Sequence, residues 1–271
     1  MSSLTVYETG RALGAEVRGV DLKKPLTAEE APVLRRTLFE RGVLLFRDQD
    51  LTEEDQVRFT RYFGDPVPHV RKQREREIPE IFIISNVTED GKPIGALGND
   101  EIQFHSDLSY MPEPGTISIL YAIEVPERGG DTTWASGYAA YDALDPALKA
   151  RVATLSAVHR HPEEQQNPET PAVHPVVRPH PETGLDVLYV NPYFTRRIVE
   201  LSEDESGALL ATLFEQVCDP RFSWTHHWRP HDLVAWDNRS TMHRREAFDP
   251  QSRRIMKRTQ IFGEAARSTA Y

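Results

Sequence analysis

The chain has 271 residues, 39% hydrophobic and 27% charged, the composition of a folded globular protein and not of a disordered, collagenous or disulfide-stapled one. Its 42 acidic side chains against 32 Lys and Arg give a net charge of −10, which repels nucleic-acid phosphates and anionic lipid headgroups, so neither nucleic acid nor membrane is expected as a partner. The single cysteine, Cys218, has no internal partner. Nothing at the N-terminus resembles a signal core, and apolar runs such as 43–46 fall far short of the ~20 residues that cross a bilayer, so a cytoplasmic location is expected.

Taken in order, the first helix opens at Thr27-Ala28-Glu29-Glu30 and runs to Gly42; a hydroxyl residue there can cap the backbone while an acid three positions on returns the bond. A strand follows at 43–46. Thr52-Glu53-Glu54-Asp55 opens a second helix that ends near Gly64, before strands at 81–84 and 117–123. Residues 161–181 hold three His-Pro pairs as well as Pro168, Pro171 and Pro179, in a chain whose 20 prolines exceed the ~5% average. This stretch is expected to be an irregular surface loop or lid, not a domain boundary. Then come a strand at 187–190 and a third helix opened by Ser202, with Leu209, Leu210, Leu213, Phe214 and Val217 on one apolar face. Strands at 222–228, 233–236 and 255–261 complete the chain. The pattern predicts one domain over 1–271, mainly β, a sandwich or barrel with flanking helices.

Residues 239–258 carry seven positive charges against two negative, although the chain as a whole is acidic. Arg254 and Arg258 interleave with Ile255, Met256 and Ile261, so some of these arginines belong to a strand with a buried face. An inward Arg needs an anionic partner.

In Gln103-Phe104-His105-Ser106-Asp107, strand alternation would put the imidazole of His105 and the carboxylate of Asp107 on one side, within reach of one metal ion. A third, distant histidine would complete a two-His-one-carboxylate triad, which holds Fe(II) on one face and leaves the opposite positions open. Alone, His-x-Asp is a weak signal in a chain with ten histidines. His161, His174 and His180 precede prolines, and the His227/His231 pair is interrupted by Pro230, which a helical zinc pair does not tolerate. His243 differs in following the strand 233–236 and a turn, just before the arginine-rich segment.

The order His105, Asp107, His243 and then Arg254 resembles the iron(II)/2-oxoglutarate-dependent dioxygenases, specifically the taurine/phenoxyacetate dioxygenase family. Further blocks carry the resemblance: Phe63-Gly64-Asp65, Gly129-Gly130-Asp131-Thr132, His174-Pro175-Val176-Val177-Arg178, and Trp236-Asp237-Asn238-Arg239 leading to Arg253-Arg254-Ile255-Met256. The likeness runs from about Gly14 to Gly263. It implies a double-stranded β-helix, the jelly-roll or cupin-like barrel, with Fe(II) held by the catalytic ligands His105, Asp107 and His243. It also implies 2-oxoglutarate as cosubstrate and O2 as oxidant. Arg254 would clasp the distal carboxylate of 2-oxoglutarate with Thr132 donating to the same group, and Arg258 would contact the inner carboxylate and the anion of the prime substrate. His69 matches a histidine that touches the substrate anion.

Two positions depart from the family pattern. Phe104 replaces a tryptophan before the metal histidine, keeping an aromatic wall without the indole donor. Glu101 stands where the taurine enzymes place a substrate-binding asparagine, and a carboxylate beside a sulfonate is repulsive. The run His243-Arg244-Arg245 with Phe248-Asp249 looks more like the phenoxyacetate branch. The expected partner is therefore a small anionic organic substrate, an aryloxyalkanoate or other carboxylate, or an organosulfonate. Hydroxylation at a carbon bearing ether oxygen or sulfonate sulfur would break the C–O or C–S bond, with release of succinate and CO2. The rival readings are a cupin-like metal enzyme without 2-oxoglutarate and a non-catalytic small-anion sensor. Assembly into a homo-oligomer stays open.

Overall fold

The computed structural model describes residues 4–71 and 73–263. The helix starts read from the sequence form as reciprocal caps. Thr52 Oγ1 accepts the Asp55 N–H while Asp55 Oδ2 accepts that of Thr52, opening the helix Glu53–Thr60, and Ser202 and Glu205 open Glu203–Val217 in the same way. Thr27 and Glu30 exchange the same pair of bonds, although the regular helix starts only at Glu30 and continues to Arg41. It stops at Gly42, whose φ of +72° and lack of a Cβ are both needed, since a Cβ there would come within 2.6 Å of the Thr241 methyl.

The strands of the two principal sheets are, in chain order, β1 (Thr5–Glu8), β2 (Ala15–Arg18), β3 (Val43–Phe46), β4 (Phe82–Ser85), β5 (Ile102–His105), β6 (Gly115–Glu124), β7 (Thr132–Ser136), β8 (Ser223–His226), β9 (Leu233–Asp237), β10 (Thr241–Arg245) and β11 (Ile255–Phe262). One sheet has seven strands in the order β1-β2-β3-β9-β6-β11-β4; the other has four, β8-β7-β10-β5. Only the β2–β3 pairing is parallel within them.

The larger sheet is covered on both faces. Leu44, Phe46, Ile119, Tyr121 and Ala235 pack on Leu34, Leu38, Phe59 and Phe63 from the first two helices. From its other face, Val43, Leu45, Leu120, Val234, Trp236 and Met256 meet Trp134 of the smaller sheet. A strand buried on both sides reads as an unbroken apolar run, as Val43-Leu44-Leu45-Phe46 does. The back of the smaller sheet, with Ala135 and Met242, packs on Leu209, Leu210, Leu213 and Val217 of the third helix. The architecture is thus mainly β with flanking helices. Two sheets stack face to face, and neither closes on itself through hydrogen bonds among the described residues.

One expectation needs correction. Residues 161–181 are not irregular throughout. Ala172–Pro175 pairs with Ser156–His159, and Val177–Pro179 pairs with Asp186–Leu188. Their histidines are buried, with His174 Nε2 facing the Ser109 carbonyl at 2.9 Å and His180 Nε2 facing Asp237 Oδ2 at 2.9 Å. The arginine-rich segment does have a buried face, as expected: Arg239, Arg245, Arg254 and Arg258 are all buried.

Candidate active site

β5 and β10 lie side by side with His105 directly opposite His243, and their rings are 4.2 Å apart between centroids. The next register pair is Arg245 with Ile102, so Gln103 and Phe104 together face the single residue Arg244. This bulge returns Ile102 and His105 to one face and turns Phe104 away. Phe104 packs toward the third-helix cluster, with the Arg244 guanidinium 5.5 Å from its ring centre. The aromatic wall expected of Phe104 therefore does not face His105.

Asp107 is not on the strand. β5 ends at His105, and the carboxylate is delivered by the turn that follows, so alternation was the wrong reason for the right pairing. The turn is pinned by Ser106 Oγ donating to the Thr241 carbonyl at 2.9 Å and by the Asp107 N–H donating to Asn238 Oδ1 at 3.1 Å. Asp107 Oδ2 accepts from Ser118 Oγ at 2.7 Å and from Gln260 Nε2 at 2.9 Å. Its other oxygen, Oδ1, lies 3.7 Å from His105 Nε2 and 3.9 Å from His243 Nε2. These are too long for hydrogen bonds, and ligand atoms of the three residues lie within 4.8 Å of one another. Two imidazole nitrogens and one carboxylate oxygen gathered this way suit Fe(II).

Hydrogen bonding and charge prepare the donors. His105 Nδ1 sits 2.8 Å from the Gln103 carbonyl, which makes Nδ1 the N–H and leaves the Nε2 lone pair for a metal. Burial, then the neighbouring His105, lowers the pKa of His243 to about 3, so its ring is neutral. Burial alone would raise the Asp107 carboxyl, but the Arg258 guanidinium, whose Nη1 is 3.5 Å from Oδ1, holds it well below the usual range. The carboxylate is ionised and ready to ligate.

Arg254 is 2% exposed, its Nε has no hydrogen-bond partner, and among the described residues no carboxylate forms an ion pair with it. Burial, then Arg245, lowers its pKa to about 9. A buried guanidinium without a counter-ion calls for an anion from outside. Gly130 lies against it, a Cβ there falling 3.6 Å from Arg254 Nε. Two residues on, the buried Thr132 accepts the Trp228 indole N–H at 2.9 Å, which leaves its own hydroxyl proton to donate.

A cavity of about 130 Å³ opens beside the metal-facing atoms, lined by His105, Asp107, His69 and Arg258 and also by Arg71, Ile102, Tyr110, His161, Tyr193 and Phe194. His69 stacks on Phe82 at 4.1 Å, and burial, then Arg258, lowers its pKa to about 3. Glu101 does not line the cavity; it is exposed and 3.8 Å from Arg244 Nη1. Arg71, Tyr110, His161, Tyr193 and Phe194 carried no local sequence signal, since they are scattered over more than a hundred positions. Ser118, Asn238 and Gln260 were missed as well, although a polar residue between apolar ones, as in Ile117-Ser118-Ile119, is the signal that could have found them.

The sequence profile of the Taurine catabolism dioxygenase TauD, TfdA family matches residues 5–260. The chain belongs to this family. It is 32% identical to pentalenolactone F synthase of Streptomyces arenae, over 95% of each chain. It is 33% identical to the alpha-ketoglutarate-dependent 2,4-dichlorophenoxyacetate dioxygenase of Cupriavidus pinatubonensis, over 93% of this chain and 95% of that one. Among solved structures, a taurine dioxygenase from Burkholderia xenovorans superposes with a TM-score of 0.85 at 35% identity, covering 97% of this chain and 90% of the other. The protein is therefore a non-haem dioxygenase that depends on Fe(II), 2-oxoglutarate and O2, which sets aside both the cosubstrate-free metal enzyme and the non-catalytic sensor. No helix among the dioxygenase's described residues is long and apolar enough to cross a membrane.

Proposed function

We propose that the dioxygenase holds Fe(II) through His105 Nε2, Asp107 Oδ1 and His243 Nε2, clasps 2-oxoglutarate with Arg254 and Thr132, and hydroxylates a small anionic substrate held near His69 and Arg258. When bound, iron with 2-oxoglutarate and O2 supplies the oxidant that exchanges a substrate C–H for C–OH, with succinate and CO2 released. In this reading the two facing sheets are a double-stranded β-helix, residues 161–181 supply part of the rim, and the enzyme works in the cytoplasm.

The observation that carries the reading is the pairing of a preformed donor set with a buried, unpaired Arg254. The planar guanidinium fork matches a carboxylate in two parallel hydrogen bonds, which a lysine cannot do. Asp107, ionised by Arg258 and fixed through Oδ2, contributes one oxygen and no proton. His105, with its proton on Nδ1, contributes a lone pair. Tyr193 and Phe194, with ring centres 5.8 and 5.7 Å from that of His105, offer an apolar wall to the hydrocarbon part of the substrate and keep water from it. Arg258 and His69 favour an aryloxyalkanoate, another carboxylate or a sulfonate. A leaving ether oxygen or sulfonate sulfur on the hydroxylated carbon leads to C–O or C–S cleavage.

The test is anaerobic reconstitution with Fe(II), then O2 and 2-oxoglutarate with sulfonates, alkyl sulfates, aryloxyalkanoates and small carboxylates, measuring substrate-stimulated succinate. Acids should stimulate release, and their amides or methyl esters should not. Equal stimulation by neutral analogues, with Arg258→Ala leaving the acids unimpaired, contradicts the anionic-substrate assignment.

A further inference from the structure

The outer end of the cavity contains a cluster that neither the metal nor the cosubstrate uses. His161 is buried and accepts the backbone N–H of Glu163 on Nδ1 at 3.0 Å. A neutral imidazole has one proton, so accepting on Nδ1 places that proton on Nε2. Yet Nε2 faces Arg71 Nη2 at 3.1 Å, and a guanidinium nitrogen only donates. Two donors point at each other. The conflict cannot be relieved by flipping the tautomer without losing the Glu163 bond, nor by protonating the ring, because burial and then Arg71 lower the His161 pKa. An acceptor shared by both groups relieves it.

Other groups converge on the same place. Tyr110 and Arg71 line the same cavity, and the ring of Tyr110 lies edge-on to that of His161 at 5.0 Å. His69 repeats the His161 device, accepting the Arg71 N–H on its Nδ1 at 3.0 Å and so keeping its proton on Nε2. Tyr193 and Phe194 join the two ends, Phe194 packing on His105 at 5.7 Å and on His161 at 5.5 Å. Charge supports the assignment. Arg258 has Asp107 at 3.5 Å, whereas Arg71 has no ion-pair partner among the described residues, and the nearby Glu163 is exposed at the rim.

We infer that Arg71, His161 and Tyr110 form an oxyanion subsite at the outer end of the cavity, so that the substrate carries two acidic groups. One is read at Arg258 and His69, and the other at this cluster, across the Tyr193–Phe194 wall. The inference rests on the cavity being the prime-substrate site. It adds a carboxylate, sulfonate or sulfate at the far end of the molecule, where two converging N–H donors and a phenol bind an oxyanion by charge-assisted hydrogen bonds.

The experiment compares matched pairs that share a body and differ by one acid: phenoxyacetate against 4-carboxyphenoxyacetate, and butane-1-sulfonate against 4-sulfobutanoate. For wild type and Arg71→Gln, binding to the anaerobic enzyme loaded with Fe(II) and saturating 2-oxoglutarate is measured by calorimetry, and succinate release is measured after oxygen is admitted. Loss of one charge-assisted bond weakens binding roughly ten- to hundredfold. The diacid should therefore bind wild type at least tenfold more tightly than the monoacid, and Arg71→Gln should erase the gap while leaving monoacid binding within about twofold. Monoacids that bind with no diacid advantage, or an advantage that persists in Arg71→Gln, overturn the subsite alone. Failure of every acid to bind overturns the assignment of the cavity together with the subsite.

Discussion

Ser118 Oγ donates to Asp107 Oδ2 at 2.7 Å, and this fixes which oxygen of the carboxylate faces the histidines. Gln260 Nε2 donates to the same oxygen and, at 2.9 Å, to Ser118 Oγ, while Asn238 Nδ2 donates to Ser118 Oγ at 3.0 Å. The larger sheet thereby orients a ligand that arrives on a turn of the smaller one. Replacing such an outer partner typically lowers metal affinity 10- to 100-fold. Ser118→Ala should weaken Fe(II) binding by about that factor, read by equilibrium dialysis under anaerobic conditions, while the far-ultraviolet circular dichroism stays that of wild type. An unchanged affinity would show that Asp107 needs no such support.

Arg254 makes a prediction of the opposite sign for stability. An unpaired buried charge destabilises, and a hydrophobic residue of similar volume can stabilise in its place. Arg254→Met should raise the unfolding temperature of the cosubstrate-free protein and abolish the further rise that 2-oxoglutarate brings to wild type. Arg254→Lys should retain a response, with cosubstrate affinity about ten- to hundredfold weaker from the lost second hydrogen bond. Differential scanning fluorimetry with and without 2-oxoglutarate reads both; a wild-type response in Arg254→Met would refute the assignment.

Asp237 predicts the acid limit of the fold. It is fully buried between Arg239, whose Nη2 is 2.7 Å from Oδ2, and His180 Nε2 at 2.9 Å. Burial, the largest single influence, raises its carboxyl pKa, but Arg239 and His180 together outweigh it and the net shift is strongly downward. A carboxyl depressed in the folded state stabilises fully above its unfolded value of about 3.9, and that contribution fades as pH falls toward the folded value. Asp237→Asn leaves Arg239 buried without its counter-charge, at a cost of about 3–5 kcal/mol at neutral pH. The stability gap to wild type, from urea unfolding, should narrow as the pH is lowered from 5 toward 3. A gap independent of pH would contradict it.

The caps of all three main helices and the apolar runs of β3, β6 and β9 were legible because each is written in neighbouring residues. That His105, Asp107 and His243 come together was legible through the order of motifs along the chain. What was not legible depends on backbone detail at single positions. One extra residue in β5 decides that Ile102 and not Phe104 shares a face with His105, and a turn after the strand decides where Asp107 points. The departures at Glu101 and Phe104 therefore bear less on the substrate than their spacing implied. Glu101→Gln and Phe104→Trp should each leave kcat/KM within about twofold, because the first pairs with Arg244 at the surface and the second packs toward the third helix. A large loss in steady-state succinate assays of either variant would restore them to the site.

The central claim is that His105, Asp107 and His243 together make one iron site on which 2-oxoglutarate binding depends. Its most direct test is anaerobic equilibrium dialysis of Fe(II) and 2-oxoglutarate with wild type, Asp107→Ala and His243→Gln. One iron per chain in wild type, none retained by either variant at the same free Fe(II), and tight 2-oxoglutarate binding only where iron is present are the predicted results. Stoichiometric iron in both folded variants, or cosubstrate bound equally tightly without it, would contradict the account.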